Sequence, residues 1–258
     1  MKLYFKYVCM LLKCQMQYKA SFFMTALGQF LVSFTAFIGV YFMFSRFHSV
    51  SGFAFSEVLI CFSIMLMSFS LTECFERGFD LFPRLIQSGE LDRILVRPRN
   101  EMFQVLTANI DFSRVGRLLQ SILVLAYAIP TSGIVWTFDK VITVVLMLMG
   151  GIAVFSALFI LYAGISFFTI EGLEFMNIFT DGSREFGKYP MSIYGEGVLK
   201  FFTYVIPIAL FQYYPFLYLV GRSDNIGFIF LPLLGFVFMA PCYLFFKFGL
   251  RKYKSTGS

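Results

Sequence analysis

The sequence predicts an all-α membrane protein that crosses a bilayer six times. Of its 258 residues, 59% are hydrophobic and only 14% are charged, and the mean hydropathy is +0.77. Soluble domains have about 45–50% apolar and about 25% charged residues, because they must cover their surface with polar groups. The apolar surplus excludes an ordinary soluble domain, and residues 1–258 are predicted to form a single transmembrane domain.

The first 19 residues predict an amphipathic helix in the membrane interface. At about 100° per residue, Lys2, Lys6, Lys13 and Gln17 share one face of a helix whose remainder is mostly apolar. Such a helix turns its lysines toward lipid phosphates and water. A plain extension of the first membrane span is the alternative. The lysines also interrupt any apolar run that could serve as a cleavable signal.

Six runs with few charges then follow, and each is long enough to span a membrane. About 20 residues cross a hydrocarbon core of about 30 Å at about 1.5 Å per residue. The runs predict pairs of spans at 20–76, 118–170 and 201–247, with loops at 77–117 and 171–200 and a tail at 248–258. Prolines within three of the runs predict kinks, and these are Pro130, Pro207, Pro215, Pro232 and Pro241.

The positions of lysine and arginine predict that both termini are cytoplasmic. With six spans, 18 of the 21 basic residues fall on the side that holds the termini and the two long loops. Cytoplasmic loops of membrane proteins carry such an excess. The net charge of +6 therefore reflects membrane orientation, and no nucleic-acid partner is expected.

No catalytic or nucleotide-binding motif is present. The sequence lacks a G-x-x-x-x-G-K-[ST] phosphate loop, an H-E-x-x-H metal motif and a G-x-S-x-G nucleophile motif, and His48 is its single histidine. Its five cysteines are scattered through apolar sequence with no C-x-x-C pair, which favours buried small side chains over a metal site. The chain is therefore expected to be no enzyme and to hold no cofactor of its own.

Acidic residues within the spans, the usual mark of ion-coupled transport, are nearly absent. Glu57 falls in the first turn of the second span, where a helix N-terminus favours an anion. Glu73 with Glu76, and Glu171 with Glu174, fall at the cytoplasmic ends of the second and fourth spans. We expect these carboxylates to lie in the membrane interface, and the alternative is that they pair with arginines of the loops.

The loop at 77–117 is a long polar segment with seven arginines and five acids. Asp80 is expected to cap a short helix that Gly89 ends, and Pro98 ends a second one. Each helix has an apolar face, formed by Phe82, Leu85 and Ile86 in the first and by Leu91, Ile94 and Leu95 in the second. The membrane surface or a partner protein is expected to cover these two faces.

Three short motifs are spread over the chain. The first, G-x-L-D-x-x-L-x-R-P, covers Gly89, Leu91, Asp92, Leu95, Arg97 and Pro98. The second, K-Y-P-x-S-I-[FY], begins at Lys188. The third is V-I-P at 205–207 followed by Y-Y-P at 213–215. Together they resemble the type-2 permeases of bacterial ATP-binding-cassette (ABC) exporters, although Gln212 stands where that family usually has asparagine.

The resemblance implies a permease subunit that exports a hydrophobic or amphipathic drug, peptide or lipid across the bacterial cytoplasmic membrane. ABC ATPase subunits would bind ATP and magnesium, and a second permease subunit, identical or related, would complete the pathway among membrane lipids. The implied coupling residues are Asp80, Phe82, Leu85, Ile86, Gly89, Leu91, Asp92, Leu95, Arg97 and Pro98. Under this reading, replacing Leu91 and Leu95 by Asp should uncouple transport while leaving membrane insertion intact. A second cytoplasmic contact would involve Arg184, Lys188, Tyr189 and Pro190. The candidate pathway or kink residues are Pro207, Gln212, Tyr213, Tyr214 and Pro215.

Two other functions remain open from the sequence. A self-sufficient channel or gradient-driven carrier would move its substrate without an ATPase, and it would be favoured if Glu57 or Glu73 faced a water-filled cavity. A structural or immunity-type membrane protein would bind a peptide or lipid without moving it.

Overall fold

The computed structural model describes residues 2–47, 49–169 and 174–255, with the side chains of Lys2, Glu174 and Phe175 excepted. The described residues form helices and connecting turns, and the one β-bridge among them joins Val50 to Phe53. The expectations for His48 and for the Glu171–Glu174 pair lie outside this description. The predicted all-α class is confirmed.

The helices follow one another closely along the chain. A 3-10 turn at Met16–Tyr18 joins α1 (Lys2–Gln15) to α2 (Lys19–Phe47), and α3 is Phe55–Phe75. Four short helices come next: α4 (Arg77–Asp80), α5 (Phe82–Gln87), α6 (Glu90–Leu95) and α7 (Glu101–Ala108). A 3-10 turn at Phe112–Arg114 leads into α8 (Val115–Thr131), and α9 is Phe138–Ile165. Beyond it lie α10 (Glu174–Asn177), a π-helical turn (Ile178–Gly182), α11 (Ser183–Phe186), a 3-10 turn (Met191–Tyr194), α12 (Glu196–Tyr204), α13 (Ile208–Phe211) and α14 (Tyr213–Leu219). Two 3-10 turns, Ile226–Ile229 and Leu231–Leu233, precede α15 (Leu234–Lys252).

Five helical stretches of the described chain are long and apolar enough to cross a membrane. They are Leu3–Phe47, Phe55–Phe75, Phe112–Thr131, Phe138–Ile165 and Ile226–Lys252. The first is a helical stretch of 45 residues, so α1 continues into α2, as expected of an extension of the first span. The placement of α1 in the membrane interface stays a prediction.

The centre of the bundle is α3, whose two sides pack against α8 and α9, while α15 packs on the far side of α9. In an apolar window of 18 residues within α3, 83% of the residues are buried, against 17% in the corresponding window of Leu3–Phe47. Because α2 meets the bundle mainly through α8, most of its apolar surface faces outward. That surface suits contact with lipid.

Both ends of the described chain lie near α7 (Glu101–Ala108) and the turn that follows it, and the Tyr7 ring is 6.3 Å from that of Phe103 on α7. Near the N-terminus, the Gln15 side chain donates to the carbonyl of Ile110 and accepts from the Phe112 amide at 3.1 Å. Near the C-terminus, Lys247 pairs with Glu101 at 2.8 Å. We call this end of the bundle the loop end.

The predicted fifth span is bent rather than merely kinked. The α12 helix and the Ile208–Leu219 stretch meet at 87°, and Pro207 lies at the break. Beyond α14, Arg222 donates to the carbonyl of Gly52 and stacks 3.6 Å from the centre of the Phe53 ring. These residues precede α3 at the end opposite to the loop end. The described residues thus contain five candidate spans, and six if the bent pair counts as one.

The other prolines disturb their helices less than predicted. Pro130 lies in the last turn of α8, and Pro215 lies in the first turn of α14. Pro232 is part of the 3-10 turn before α15, whereas Pro241 lies inside α15 without ending it. Pro215 and Pro232 sit in first turns, where a missing amide donor costs little, and Pro130 can disturb only the end of α8.

Candidate functional site

Helices α5 and α6 form an elbow at the loop end, defined here as residues 82–98. Gly89 joins the two helices with φ of 70°, the left-handed conformation that glycine adopts without strain. The predicted stop at Gly89 is thus confirmed. The predicted cap is wrong: Asp80 ends α4 and pairs with Arg77, and α5 begins after Leu81 with no side-chain cap.

The apolar faces of the elbow are covered by the chain's own helices, which corrects the expectation that the membrane surface or a partner covers them. The Phe82 ring lies 5.1 Å from the ring of Phe167 and 5.4 Å from that of Phe246, centre to centre. The other buried members of the two faces are Leu85, Ile86, Leu91 and Ile94. They join the same core cluster as α9 and α15, because burial there removes more apolar surface from water than a flat interface could.

The opposite side of the elbow is exposed and basic. Of the predicted coupling residues, Leu95, Arg97 and Pro98 lie on this side, and Val96 is 83% exposed. Arg84, Gln87, Glu90 and Arg93 complete the exposed surface. A partner at this end would therefore contact arginines and a small apolar tip at 95–96.

Polar contacts hold the second arm of the elbow in place. The Gln104 side chain donates to the carbonyls of Ile94 at 3.0 Å and Arg99 at 3.1 Å, which satisfies a carbonyl at the end of α6. The Asp92 carboxylate accepts from the Ser255 hydroxyl at 2.8 Å. The elbow is thus tied to α7 and to the segment after α15.

The predicted second cytoplasmic contact packs partly against α3. The Arg184 guanidinium sits 4.7 Å from the centre of the Phe69 ring, and the Lys188 ammonium 6.0 Å from that of Phe62. Phe62 is 13 residues before the end of α3, which corresponds to about 20 Å from the loop end. Lys188 is therefore buried within the bundle, whereas Arg184 lies nearer the loop end. The cytoplasmic placement of the loop at 171–200 stays a prediction.

Ion pairs accompany the two basic side chains of this segment. Arg184 pairs with Asp181 at 2.8 Å, and Lys188 pairs with Glu185 at 2.6 Å. The two acids are about half exposed and only Lys188 is buried, so its charge is paired at the edge of the bundle and is not left alone inside it. The Tyr189 carbonyl accepts from the Gln212 side chain at 3.3 Å, and Pro190 is buried.

The candidate pathway residues lie where the bent segment meets the core. Gln212 is fully buried between α13 and α14, and its Oε1 atom has no hydrogen-bond partner in the described part of the chain. Tyr213 is nearly buried, while the Tyr214 hydroxyl lies 3.3 Å from that of Thr203. Pro207 forms the break, and Pro215 is buried. The structure brings these five residues together without showing a pathway among them.

A cluster of arginines surrounds Glu73 at the loop end of α3. Its carboxylate accepts from Arg77 at 3.1 Å, from Arg114 at 3.2 Å and from Arg117 at 2.9 Å. Glu73 thus pairs with arginines of the loop, which is the alternative that the sequence left open. Glu57 lies in the first turn of α3, as predicted, and accepts from the Ala54 amide at 2.9 Å.

A cleft of about 810 Å³ opens beside this cluster. Its arginines are Arg77, Arg84, Arg114, Arg117 and Arg184, and its acids are Glu73, Asp80 and Asp181. Burial raises the pKa of Asp80, although the neighbouring Arg77 opposes this effect. Sequence reasoning missed the cleft, yet the spacing of Glu73 and Arg77, one helical turn apart, and the excess of arginine at 77–117 were available signals.

One further carboxylate at this end is unusual. Glu76 follows α3, and its Oε1 atom accepts from the Ser156 hydroxyl of α9 at 2.8 Å. Its Oε2 atom is buried and has no partner among the described residues. Burial raises the pKa of Glu76 to about 7, and the Ser156 hydrogen bond lowers it only in part.

The cysteines and acids of the described residues form no metal site. No three His, Cys, Asp or Glu side chains there are grouped so that they could hold an ion. Cys61, Cys74 and Cys242 are buried, as expected, whereas Cys9 and Cys14 on α1 are exposed.

Comparison with known proteins supplies the family. A comparison with curated proteins and one with solved structures gave no match. A family model described as ABC-2 family transporter protein matches residues 30–257, a range that includes the elbow and the arginine cluster. This match shows that the chain belongs to the ABC-2 family of transporter proteins, in which it is a membrane permease subunit of an ABC transporter.

Proposed function

We propose that this permease exports a hydrophobic or amphipathic substrate from the cytoplasm and that it is driven by ATP hydrolysis in a separate ABC ATPase. One observation carries the proposal: the elbow has one face packed into the core and the other face exposed. A segment of this kind can receive a movement on its outer face and pass it inward. The loop end would then be cytoplasmic.

The core contacts of the elbow suggest how the work is transmitted. Phe82 packs on Phe246 of α15 and on Phe167, just beyond α9. These contacts are close-packed and transmit strain rather than absorbing it. Displacement of the elbow by a closing ATPase would therefore tilt α9 and α15 against α3. ATP and magnesium would bind to the ATPase and not to this chain.

The docking surface is proposed on the exposed side of the elbow. Arg93, Arg97 and the apolar tip at Val96 would contact the ATPase, while the buried leucines of the elbow act only through packing. Besides the ATPase, we propose a second permease subunit, identical or related, as a partner. The proposed location is a bacterial cytoplasmic membrane. The broad, outward apolar face of α2 supports the lipid environment but does not select a cargo.

Photocrosslinking can test the docking surface. A photoreactive amino acid in place of Val96 is expected to crosslink the full-length chain, in its native membrane, to a subunit that azido-ATP also labels. Val135, between α8 and α9, is the matched control because it is 76% exposed and lies at the opposite end. A nucleotide-labelled adduct at both positions, or at neither, would contradict the proposal.

A gradient-driven carrier is the second candidate, and one observation favours it: Glu73 lines an open cleft. Three arginines bind this carboxylate, so its oxygens are already occupied by ion pairs within the chain. Substrate flux from the purified chain in vesicles, without ATP or an ATPase, would support the carrier. Flux only in the presence of the ATPase and ATP would support the exporter.

A further inference from the structure

A pocket of about 300 Å³ lies between α1, the elbow and α7. Leu3 and Tyr7 line it from α1, and the Tyr7 ring packs against the edge of the Phe103 ring on α7. The rest of its lining comes from the elbow and from residues 99–108. One wall of the pocket is therefore aromatic and apolar.

The charged side chains of this pocket do not neutralise one another. They are Glu90, Arg93, Arg97 and Arg99. None of the four makes an ion pair or a side-chain hydrogen bond with a described residue. Of the neighbouring acids, Asp92 accepts from the Ser255 hydroxyl and Glu101 pairs with Lys247, and neither lines the pocket. Even when Asp92 is counted, three arginines face two acids, so at least one positive charge is left for a ligand.

Gln104 adds a hydrogen-bond acceptor that lacks a partner. Its Nε2 atom donates to the carbonyls of Ile94 and Arg99, which fixes the orientation of the amide. Its Oε1 atom is buried and has no partner in the described part of the chain. Because buried acceptors are normally hydrogen-bonded, a ligand that carries a donor beside its negative charge suits this pocket.

The pocket lies at the level of the molecule where lipid headgroups are expected. Phe82 of the elbow packs on Phe246, and Glu101 at the start of α7 pairs with Lys247. Phe246 and Lys247 are in the last two turns of α15, which belongs to a candidate span. The ends of spans meet the polar headgroup region of a bilayer.

We propose that this pocket binds the headgroup of an anionic phospholipid. Arginine presents a planar fork of donors that matches two phosphate oxygens, and the single charge of a phosphodiester does not exceed the surplus of positive charge. The hydroxyl groups of a phosphatidylglycerol head would supply the donor that Gln104 lacks. A volume of about 300 Å³ is at the lower end of the range for ligand pockets, so it suits the head and leaves the acyl chains outside.

The surface of α1 agrees with a lipid whose chains stay outside the pocket. Phe5 and Met10 of α1 are 62% and 51% exposed. Apolar side chains of an interfacial helix insert among acyl chains. A phospholipid is therefore favoured over an acidic segment of the ATPase as the occupant.

The lipid pocket borders the proposed docking surface without depending on it. Arg93 and Arg97 belong to both, whereas Arg99 lines the pocket and is not part of the docking surface. Binding of a lipid to the purified chain requires no ATPase, so the two proposals can fail separately.

Native mass spectrometry of the purified full-length chain in detergent tests the inference. Phosphatidylglycerol and phosphatidylcholine with identical acyl chains are the two probes, and phosphatidylglycerol is expected to bind at least tenfold more tightly. The head of phosphatidylcholine has neither a net charge nor a hydrogen-bond donor. Arg99→Gln should weaken binding of phosphatidylglycerol by about tenfold, because it removes a charged donor. Arg251→Gln is the matched control and should leave binding unchanged, since Arg251 is exposed at the end of α15 and does not line the pocket.

Three outcomes would overturn the proposal. Equal affinity for the two lipids would leave the three arginines to the docking of the ATPase. An equal effect of Arg99→Gln and Arg251→Gln would show attraction to the basic end of the protein as a whole and not a site. Displacement of phosphatidylglycerol by an equal concentration of glycerol phosphate would assign the pocket to a soluble anion.

Discussion

At the residue scale, Glu76 is a buried carboxyl without a positive partner among the described residues. Its single hydrogen bond comes from Ser156, and burial raises its pKa to about 7 from the ordinary value of 4.5. The folded protein therefore retains a proton that the unfolded chain releases between these two values. Stability consequently falls as the pH rises from 4.5 to about 7 and carries a constant penalty above that range.

Glu76→Gln should remove this penalty, because glutamine keeps the acceptor for Ser156 and carries no charge. We expect the variant to melt on the order of a few °C above the unmodified protein at about pH 8 and at the same temperature at about pH 4. Thermal unfolding in detergent across this range measures the difference. Glu90→Gln, at an exposed position on α6, is the control. A difference that does not change with pH would contradict the proposed cause.

The contrast between Glu73 and Glu76 shows how far sequence reasoning reaches at this scale. The two residues lie one helical turn apart at the end of a predicted span, so the sequence predicts one interfacial environment for both. In the structure, Glu73 meets three arginines while Glu76 meets a serine. The difference arises because Arg114 and Arg117 come from another helix. Such a contact depends on packing and not on local spacing.

At the scale of elements, the elbow was predictable in form but not in orientation. The apolar spacing and Gly89 predict two short amphipathic helices with a left-handed break, and both are present. The same pattern does not say whether a partner or the chain itself covers the apolar faces, because either would exclude water. The structure assigns Leu91 to the chain's own core, so replacing Leu91 and Leu95 together cannot isolate coupling.

Single substitutions on opposite faces of the elbow can separate folding from coupling. Leu91→Asp should destabilise the protein by about 3 kcal/mol or more, because Leu91 is fully buried and an aspartate there would be unpaired. Val96→Asp should change stability by less than about 0.5 kcal/mol, since Val96 is exposed. Thermal unfolding measures both, and ATP-dependent transport should be lost in the second variant despite its folding. Similar losses of stability in the two variants would refute the assignment of the faces.

At the scale of the whole molecule, most of the spans were predictable and the course of one segment was not. Length and hydropathy predict six spans; five helical stretches of the described chain qualify, and the fifth predicted span is a pair of helices bent by 87° with Pro207 at the break. Counting basic residues does not predict that Arg184 and Lys188 approach the Phe69 and Phe62 rings of α3, because such contacts depend on packing.

The distribution of charge still predicts which end of the molecule is cytoplasmic. When Arg184 and Lys188 are set aside, most of the remaining basic residues stay at the loop end, where both ends of the described chain also lie. Positive charge of this kind is retained on the cytoplasmic side.

Labelling with a membrane-impermeant thiol reagent on intact cells tests this orientation. After Cys9 and Cys14, the exposed cysteines, are replaced by Ser, Val135→Cys should be labelled and Val96→Cys should react only once the cells are opened. The two valines are similarly exposed, so the difference reports sidedness and not accessibility. Labelling of Val96→Cys on intact cells would place the elbow outside and rule out its docking to a cytoplasmic ATPase.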